Sequence, residues 1–140
     1  MEIDAVLFEL LEQTAASRVT LREDIPGDYA FPVTHEALAS GVASLRDERT
    51  VDLKTQPVVQ RLRASGQVAQ DDCAAAFDDP TFQRMLEVYG GLAAQIVTPV
   101  VRGDRLVGIL SLHQLGSPRR WTDAEVTAAT RAAARISELL

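Results

Sequence analysis

The chain is poor in cysteine and histidine, and each shortage excludes a kind of site. One cysteine in 140 residues excludes a disulfide framework and a cysteine-based zinc site. Two histidines exclude a histidine-rich metal site but leave room for a cofactor held by one imidazole. No apolar run approaches the roughly 18 residues that a membrane span needs. Basic residues are outnumbered as well: the formal net charge of −6 argues against nucleic acid as a partner, because nucleic-acid-binding domains carry a basic face.

Length and the N-terminal residues narrow the class of protein further. A chain of 140 residues predicts one domain spanning 1–140, with enough chain to bury a core. The sequence begins Met-Glu-Ile-Asp, which is acidic where a signal peptide is basic. We therefore expect a cytoplasmic, soluble protein with no membrane contact.

The N-terminal part predicts a helix followed by a strand. Apolar side chains at three- and four-residue spacing predict an amphipathic helix over 2–15. Residues 17–23 alternate between apolar and polar side chains, a period-two pattern typical of a strand. The polar positions of this strand include Arg18 and Arg22, so we expect one of its faces to be in water.

A second strand, predicted over 29–37, should pair with the first as a hairpin. Pro32 has no N–H to donate to a ladder, which predicts an edge strand. Strict alternation along the strand places Phe31, Val33 and His35 on one face. We expect that face to be the buried one.

The middle of the chain predicts two short helices and little else that is regular. A connector with some strand character covers 39–54, and Thr55 is the expected cap of the first short helix. A short strand is predicted over 67–72. Asp79 as cap and Pro80 at the first helical position predict the start of the second short helix.

The last third has the clearest patterns. Two β-rich runs, 96–101 and 106–115, flank a turn over 102–105, and apolar residues on both faces of the second run predict a central strand. Thr122 and Glu125 have the spacing of a capping box at the start of the last helix. The element order predicts an α+β fold: an antiparallel sheet with the terminal helices on one face and the short helices on the other.

A strand with proline, a turn, a glycine-containing strand, a proline loop and a helix follow one another over 94–137. The second of these strands carries His113 near its end, and Pro118-Arg119 and Trp121 precede the helix. This arrangement resembles the GAF domains of phytochromes and cyanobacteriochromes. The GAF domain is a small-ligand sensor fold that is related to the PAS fold. The resemblance implies a ligand pocket between the sheet and residues 40–92.

The sequence departs from several functional groups of that family. Bilin-binding GAF domains attach their chromophore through a cysteine that histidine often follows, whereas Cys73 is followed by Ala74, so a covalent bilin is not expected. The free-methionine sulfoxide reductases of the family use several cysteines, and the cyclic-nucleotide group carries an Asn-Lys-Phe-Asp-type signature that is missing here. The resemblance therefore implies a sensor for some other small molecule.

His35 is the first candidate for a cofactor contact. A neutral imidazole among apolar side chains suits an axial ligand of haem iron. Alternatively, His35 hydrogen-bonds a neighbour such as Glu36 or Asp72 and only packs. The apolar wall expected around such a pocket comprises Phe31, Val33, Phe77, Phe82, Met85, Leu86 and Tyr89.

Other residues compete for a place in the site. His113 could point into the pocket or orient the proline loop, and it is the second choice as a haem ligand. Asp72 and its neighbour Asp71 could do acid–base work if one carboxylate raised the pKa of the other, although a capping role is favoured. Arg119 and Arg120 could hold an anionic ligand through the guanidinium fork.

Three functions remain open from the sequence. The first is a sensor that holds a small-molecule ligand and signals to a partner protein. The second is a haem protein, either a gas or redox sensor or a small enzyme such as the lyase that breaks down N-nitroglycine. The third is an assembly module with no ligand. Apolar stripes on the first and last helices also predict a homodimer through the terminal helices.

Overall fold

The computed structural model describes residues 2–28 and 31–140, and within them the predicted order of elements is found. The helices are α1 (Ile3–Thr14), α2 (Pro57–Ser65), α3 (Pro80–Val88) and α4 (Asp123–Leu139). The strands are β1 (Arg18–Glu23), β2 (Val33–Leu38), β3 (Val68–Gln70), β4 (Leu92–Arg102) and β5 (Arg105–Leu115). Single 3-10 turns lie at Leu53–Thr55 and Cys73–Ala75.

The five strands form one antiparallel sheet in the order β2-β1-β5-β4-β3. β5 lies in the centre, as its two apolar faces predict. β2 lies at an edge, as predicted, although Pro32, on which the prediction rested, immediately precedes the strand. The predicted α+β fold class is therefore confirmed.

A separate core lies on each face of the sheet. On one face, α1 and α4 pack against β1 and β5 through side chains such as Leu10, Leu21 and Ile136. On the other face, α2, α3 and their connectors pack through a second set that includes Phe82 and Val97. We call these the helix face and the middle-segment face. No helix in the described part of the chain has the length and apolar character to cross a bilayer.

The helix starts that the sequence marks most strongly are confirmed. Asp79 accepts hydrogen bonds from the backbone N–H groups of Thr81 and Phe82 at the start of α3. Thr122 and Glu125 form a reciprocal capping box at the start of α4. Both signals work within one turn of chain, which is why they can be interpreted without knowledge of the tertiary structure.

Two predictions about the middle of the chain are wrong. Residues 39–54 contain no strand. Thr55 ends a 3-10 turn rather than capping α2, and Gln56 occupies the N-cap position with no side-chain hydrogen bond. Pro57 at the first helical position is the signal that was missed.

β2 differs from its prediction in a way that matters for the site. The strand begins at Val33, and the predicted residues 29–30 lie outside the described part of the chain. The pairing of Leu21 with His35 is followed by that of Arg22 with Val33. One residue of β2 is therefore extra at this point, a β-bulge.

The bulge reverses the alternation of side chains along β2. Val33 packs in the core of the middle-segment face. His35 instead lies opposite Leu21, whose side chain belongs to the core of the helix face. The prediction that Val33 and His35 share a buried face is therefore wrong, because a bulge shifts the period-two pattern by one residue.

Gly108 in the central strand offers a test of how tightly β5 and β1 approach each other. A Cβ atom added here would lie 2.8 Å from the backbone oxygen of Arg22 and 3.5 Å from side-chain atoms of Leu21 and Val100. Because the nearest atom is backbone, it cannot move aside cheaply. We expect Gly108→Ala to lower the free energy of unfolding by about 1–3 kcal/mol, measured by urea denaturation. Arg105→Ala, at an exposed position of the same strand, should change it by less than about 0.5 kcal/mol, and equal stability of Gly108→Ala and the parent would contradict the packing.

Candidate functional site

The polar side chains of β1 form a buried cluster on the middle-segment face. Arg18 is 1% exposed and Arg22 is 5% exposed, so the prediction that this face of β1 is in water is wrong. The middle of the chain folds over these residues and removes them from water. With Tyr89 and His113 they form what we call the Arg–Tyr–His cluster.

Arg18 joins four parts of the fold through its guanidinium group. Nε donates to Nδ1 of His113 at 3.0 Å, which links β1 to β5. Nη1 donates to the carbonyl oxygen of Ala43 at 3.0 Å, and Nη2 donates to the carbonyl oxygen of Tyr89 at 2.8 Å. The loop after β2 and the end of α3 are thereby tied to the sheet.

Arg22 and Tyr89 complete the cluster. Nη1 of Arg22 donates to the carbonyl oxygen of Phe31 at 2.8 Å, and Nη2 donates to the hydroxyl oxygen of Tyr89 at 3.0 Å. The Tyr89 ring stacks on the His113 ring with 5.9 Å between centroids. Tyr89 therefore contacts both arginines and the histidine.

The cluster holds two guanidinium groups whose hydrogen-bond acceptors are all neutral. Neither Arg18 nor Arg22 forms an ion pair with a carboxylate of the described residues. Burial lowers the pKa of Arg18 to about 10 and also lowers the pKa of Arg22. A pKa of about 10 still leaves Arg18 protonated at neutral pH, so the charge is buried.

His113 is neutral in this environment. Burial lowers its pKa well below 6.5, and the charges of Arg18 and Arg22 lower it further. Because Nδ1 accepts the hydrogen bond from Arg18, the ring proton of the neutral imidazole lies on Nε2. To coordinate a metal, His113 would have to exchange this tautomer or give up its bond to Arg18.

The depressed pKa of His113 makes stability depend on pH. Above pH 6.5, His113 is neutral in both the folded and the unfolded chain, so its contribution is fully present. Below pH 6.5 the unfolded chain binds a proton that the folded chain does not, so acidification favours unfolding. We expect the free energy of unfolding to fall by about 1 kcal/mol between pH 6.5 and 5.5, measured by urea denaturation.

Two variants isolate His113 in that experiment. The amide side chain of a His113→Gln variant can still accept from Arg18 but does not titrate, so the decrease should vanish, whereas His35→Gln should retain it. Two carboxylates with shifted pKa values lie outside this range. For Glu48, burial raises the pKa but hydrogen bonds from Thr50 outweigh it and lower the pKa below 4.5, and hydrogen bonds from Thr81 and Phe82 lower the pKa of Asp79 below 3.8. A decrease that persists in His113→Gln would contradict the assignment.

Two spaces of different size border the cluster. The outer cleft, of about 520 Å³, opens between the loop around residues 41–48 and the end of α3, and Arg18 and Tyr89 line it. The inner cavity, of about 30 Å³, lies between the sheet and the short helices, and Arg22, Tyr89 and His113 line it. The inner cavity has room for one or two water molecules. The outer cleft has the size of a small-molecule site.

The structure brings together most of the residues predicted to line a pocket. The core of the middle-segment face contains Phe31, Val33, Phe82, Met85, Leu86 and Tyr89, with Phe77 packed against it. His113 lies beside this core, stacked on Tyr89. The sequence reasoning missed Arg18 and Arg22. The sequence did contain a signal for them. Both are polar residues on one face of a predicted strand, and the predicted middle segment has to cover that face.

His35 does not belong to this site. Its side chain is 30% exposed, and Nδ1 donates to Asp4 of α1 at 2.7 Å. Nε2 lies 3.9 Å from the carboxylate of Glu23. The prediction that His35 is buried beside Phe31 and Val33 is wrong for the structural reason given above: the bulge in β2 turns it toward the helix face.

The acidic pair and the proline loop serve the fold. Asp72 is exposed and its side chain caps nothing, so it does not join the predicted pocket. Asp71 accepts from the backbone N–H of Trp121 at 3.1 Å. Arg119 pairs with Glu125 and donates to the carbonyl oxygen of Thr14, which commits its guanidinium to joining α1 and α4.

The inner cavity is too small for a haem or a bilin. Ligand pockets for molecules of drug size or larger usually enclose about 300–1,000 Å³, whereas the inner cavity encloses about 30 Å³. His35 lies on the other face, and Nδ1 of His113 is engaged by Arg18. No group of three or more metal-ligating side chains occurs among residues 2–28 and 31–140.

The GAF domain family model matches residues 2–140. A comparison with curated protein sequences finds no match. Among solved structures, the chain is similar to the GAF domain of the cyanobacteriochrome TePixJ, with a TM-score of 0.78 and 23% identity. The similarity covers 98% of this chain and 85% of that one.

Two further structures share the architecture. The chromophore-binding domain of the bacteriophytochrome RpBphP3 from R. palustris has a TM-score of 0.76 at 18% identity, over 98% of this chain and 52% of that chain. The far-red-absorbing state of JSC1_58120g3, with bound biliverdin IXa, has a TM-score of 0.77 at 18% identity. The similarity covers 98% of this chain and 88% of that one. At these identities the likeness shows a common fold, so the ligand of each structure is a fact about that protein alone.

Proposed function

Because the chain belongs to the GAF domain family, we propose that it is a sensor that binds a small-molecule ligand between the sheet and residues 40–92. The observation that carries this proposal is the buried Arg–Tyr–His cluster at the base of the outer cleft. Removing an ion from water costs several kcal/mol, so burying two guanidinium groups in a core destabilises the fold relative to burying apolar side chains. Recognition of a ligand accounts for their position.

Tyr89 supplies a route from ligand binding to a change in the protein. It ends α3 and is followed by Gly90 and Gly91, whose φ angles of 86° and 81° belong to the left-handed region that glycine tolerates. Its carbonyl and hydroxyl oxygens hold Arg18 and Arg22 on β1. A ligand that displaces Tyr89 therefore perturbs β1, whose opposite face packs on the terminal helices.

A screen of a metabolite library by thermal shift tests the proposal. We expect at least one compound to raise the Tm of the protein in a saturable manner, since a ligand that binds only the folded state stabilises it by mass action. Ala43→Phe adds a large ring in the outer cleft and should abolish the shift. Ala75→Phe, at an exposed position outside the cleft, should retain it. Absence of any saturable shift, or hits that act equally on both variants, would count against this function.

The filled interior favours a second candidate, a module for assembly that needs no ligand. With the inner cavity at about 30 Å³, side chains of the protein itself occupy most of the space between the sheet and the short helices. This candidate predicts that no compound in the screen stabilises the protein. It also needs a partner surface, which the terminal helices would provide.

The homodimer through the terminal helices remains a proposal with a definite test. The apolar stripes that suggested it, such as Leu10 on α1 and Ile136 on α4, are buried against the chain's own sheet. The surface left for a partner includes Phe8, 57% exposed, and Leu139, 43% exposed. We expect light scattering at micromolar concentration to give twice the monomer mass, and Phe8→Glu to give the monomer. A monomeric parent protein would reject the dimer.

A further inference from the structure

The two arginines of the cluster carry charge that their hydrogen bonds leave uncompensated. A guanidinium group has five N–H donors. Arg18 donates three hydrogen bonds, to an imidazole and to two carbonyl oxygens. Arg22 donates two, to a carbonyl oxygen and to a phenol oxygen. Donors therefore remain on both groups, and every acceptor that they reach is neutral.

The carboxylates that act on the arginines from nearby are already engaged. Glu36 accepts from Ser44 and from the backbone N–H of Leu45, and it pairs with Arg46 at 3.4 Å. Glu48 accepts both the hydroxyl and the backbone N–H of Thr50. These carboxylates therefore lie near the cluster but form their hydrogen bonds and ion pair with other residues.

Tyr89 borders both of the spaces that the arginines line. Arg18 lines the outer cleft and Arg22 lines the inner cavity, whereas Tyr89 lines both. Displacement of its ring would release the Arg22 N–H that the Tyr89 hydroxyl now accepts.

Resting on the proposed function, we infer that the ligand is a small organic monocarboxylate whose acid group binds Arg18 and Arg22 after Tyr89 moves aside. A carboxylate accepts two parallel hydrogen bonds from a guanidinium fork, and such charge-assisted bonds are about twice as strong as neutral ones. The anion would supply the counter-charge that the cluster lacks.

The rest of the outer cleft defines the body of that ligand. Leu45, Val88 and Leu115 give it an apolar side, which suits an aryl or alkyl group. Asp47 and Glu48 also line it, and their charges disfavour a ligand with several negative groups. A single carboxylate on an apolar body satisfies both conditions.

Matched acids and amides test the charge of the ligand. Phenylacetate, 3-phenylpropionate and octanoate would each be compared with the corresponding primary amide, by thermal shift and calorimetry at constant ionic strength. We expect at least one acid to bind, with its amide at least tenfold weaker. Arg22→Gln should weaken binding of the acid by at least tenfold, whereas Arg63→Gln, an exposed arginine on α2, should leave it unchanged.

An NMR experiment on the unmodified protein removes the dependence on variants that fail to fold. The Nε–H of Arg18 is hydrogen-bonded to His113 and buried, so its ¹H–¹⁵N signal should be protected from exchange and should shift on titration with phenylacetate. Signals that stay unmoved by all three acids overturn the inference. Amides that bind as well as the acids overturn the anion assignment but leave the small-molecule site standing, whereas a library screen without any hit removes both.

Discussion

Replacing Arg18 with methionine is expected to lower the free energy of unfolding by about 2–4 kcal/mol. Methionine fills a similar length of the site but donates no hydrogen bond. The carbonyl oxygens of Ala43 and Tyr89 and Nδ1 of His113 then lose their donor. Each buried acceptor left unpaired costs roughly 1–3 kcal/mol, and relief of the buried charge offsets part of the total.

The buried Trp121, the only tryptophan of the chain, offers a fluorescence signal for urea denaturation. Arg63→Met, at an exposed position of α2, should change the free energy of unfolding by less than about 0.5 kcal/mol. Arg18→Lys retains a positive charge but cannot reach three acceptors that lie in different directions, so it should recover only part of the loss. An Arg18→Met protein as stable as the parent would show that these hydrogen bonds do not hold the loop and α3 to the sheet.

Cys73 in the folded protein is expected to react with iodoacetamide at least about a thousandfold more slowly than in the unfolded chain. The side chain is fully buried. Burial raises the pKa of the thiol from 9.0 to about 12, and the charge of Asp72 adds to the effect. Since the thiolate is the reactive form, a rise of about three pKa units removes a factor of about a thousand from its population at neutral pH.

Mass spectrometry of the time course at pH 8, with and without denaturant, measures the two rates. A Cys73→Ala, Ala74→Cys double variant moves the thiol to an adjacent exposed position, and it should react in the native state nearly as fast as in the unfolded state. A native Cys73 that reacts within tenfold of the unfolded rate would contradict its burial.

The parts of the fold that the sequence predicted well are those fixed by neighbours along the chain. Asp79 and the Thr122–Glu125 pair bond to N–H groups within one turn, so their meaning does not depend on the rest of the molecule. The central position of β5 followed from its own composition, since a strand with two apolar faces must be covered twice. These local signals were enough to predict the order of elements and the two-sided sandwich.

The candidate site was predicted only in part, because its chemistry depends on pairing between distant segments. The apolar wall around Phe82 and Tyr89 was identified from helical spacing and is found in one core. His35 was misplaced because one extra residue in β2 reverses the side-chain alternation, and a bulge is visible only once the partner strand is known. Arg18 and Arg22 were assigned to water because alternation along β1 does not reveal what covers each face.

The sequence by itself determined the α+β class, the antiparallel character of the sheet and the starts of α3 and α4, since these follow from short-range periodicity and capping. The tertiary structure decided which polar face of a strand is buried. Burial is a property of what packs on a residue, and the segment that covers Arg18 and Arg22 comes from elsewhere in the chain. It therefore also decided that the buried histidine is His113, which lies beside two arginines, and that His35 lies in the opposite layer with Asp4.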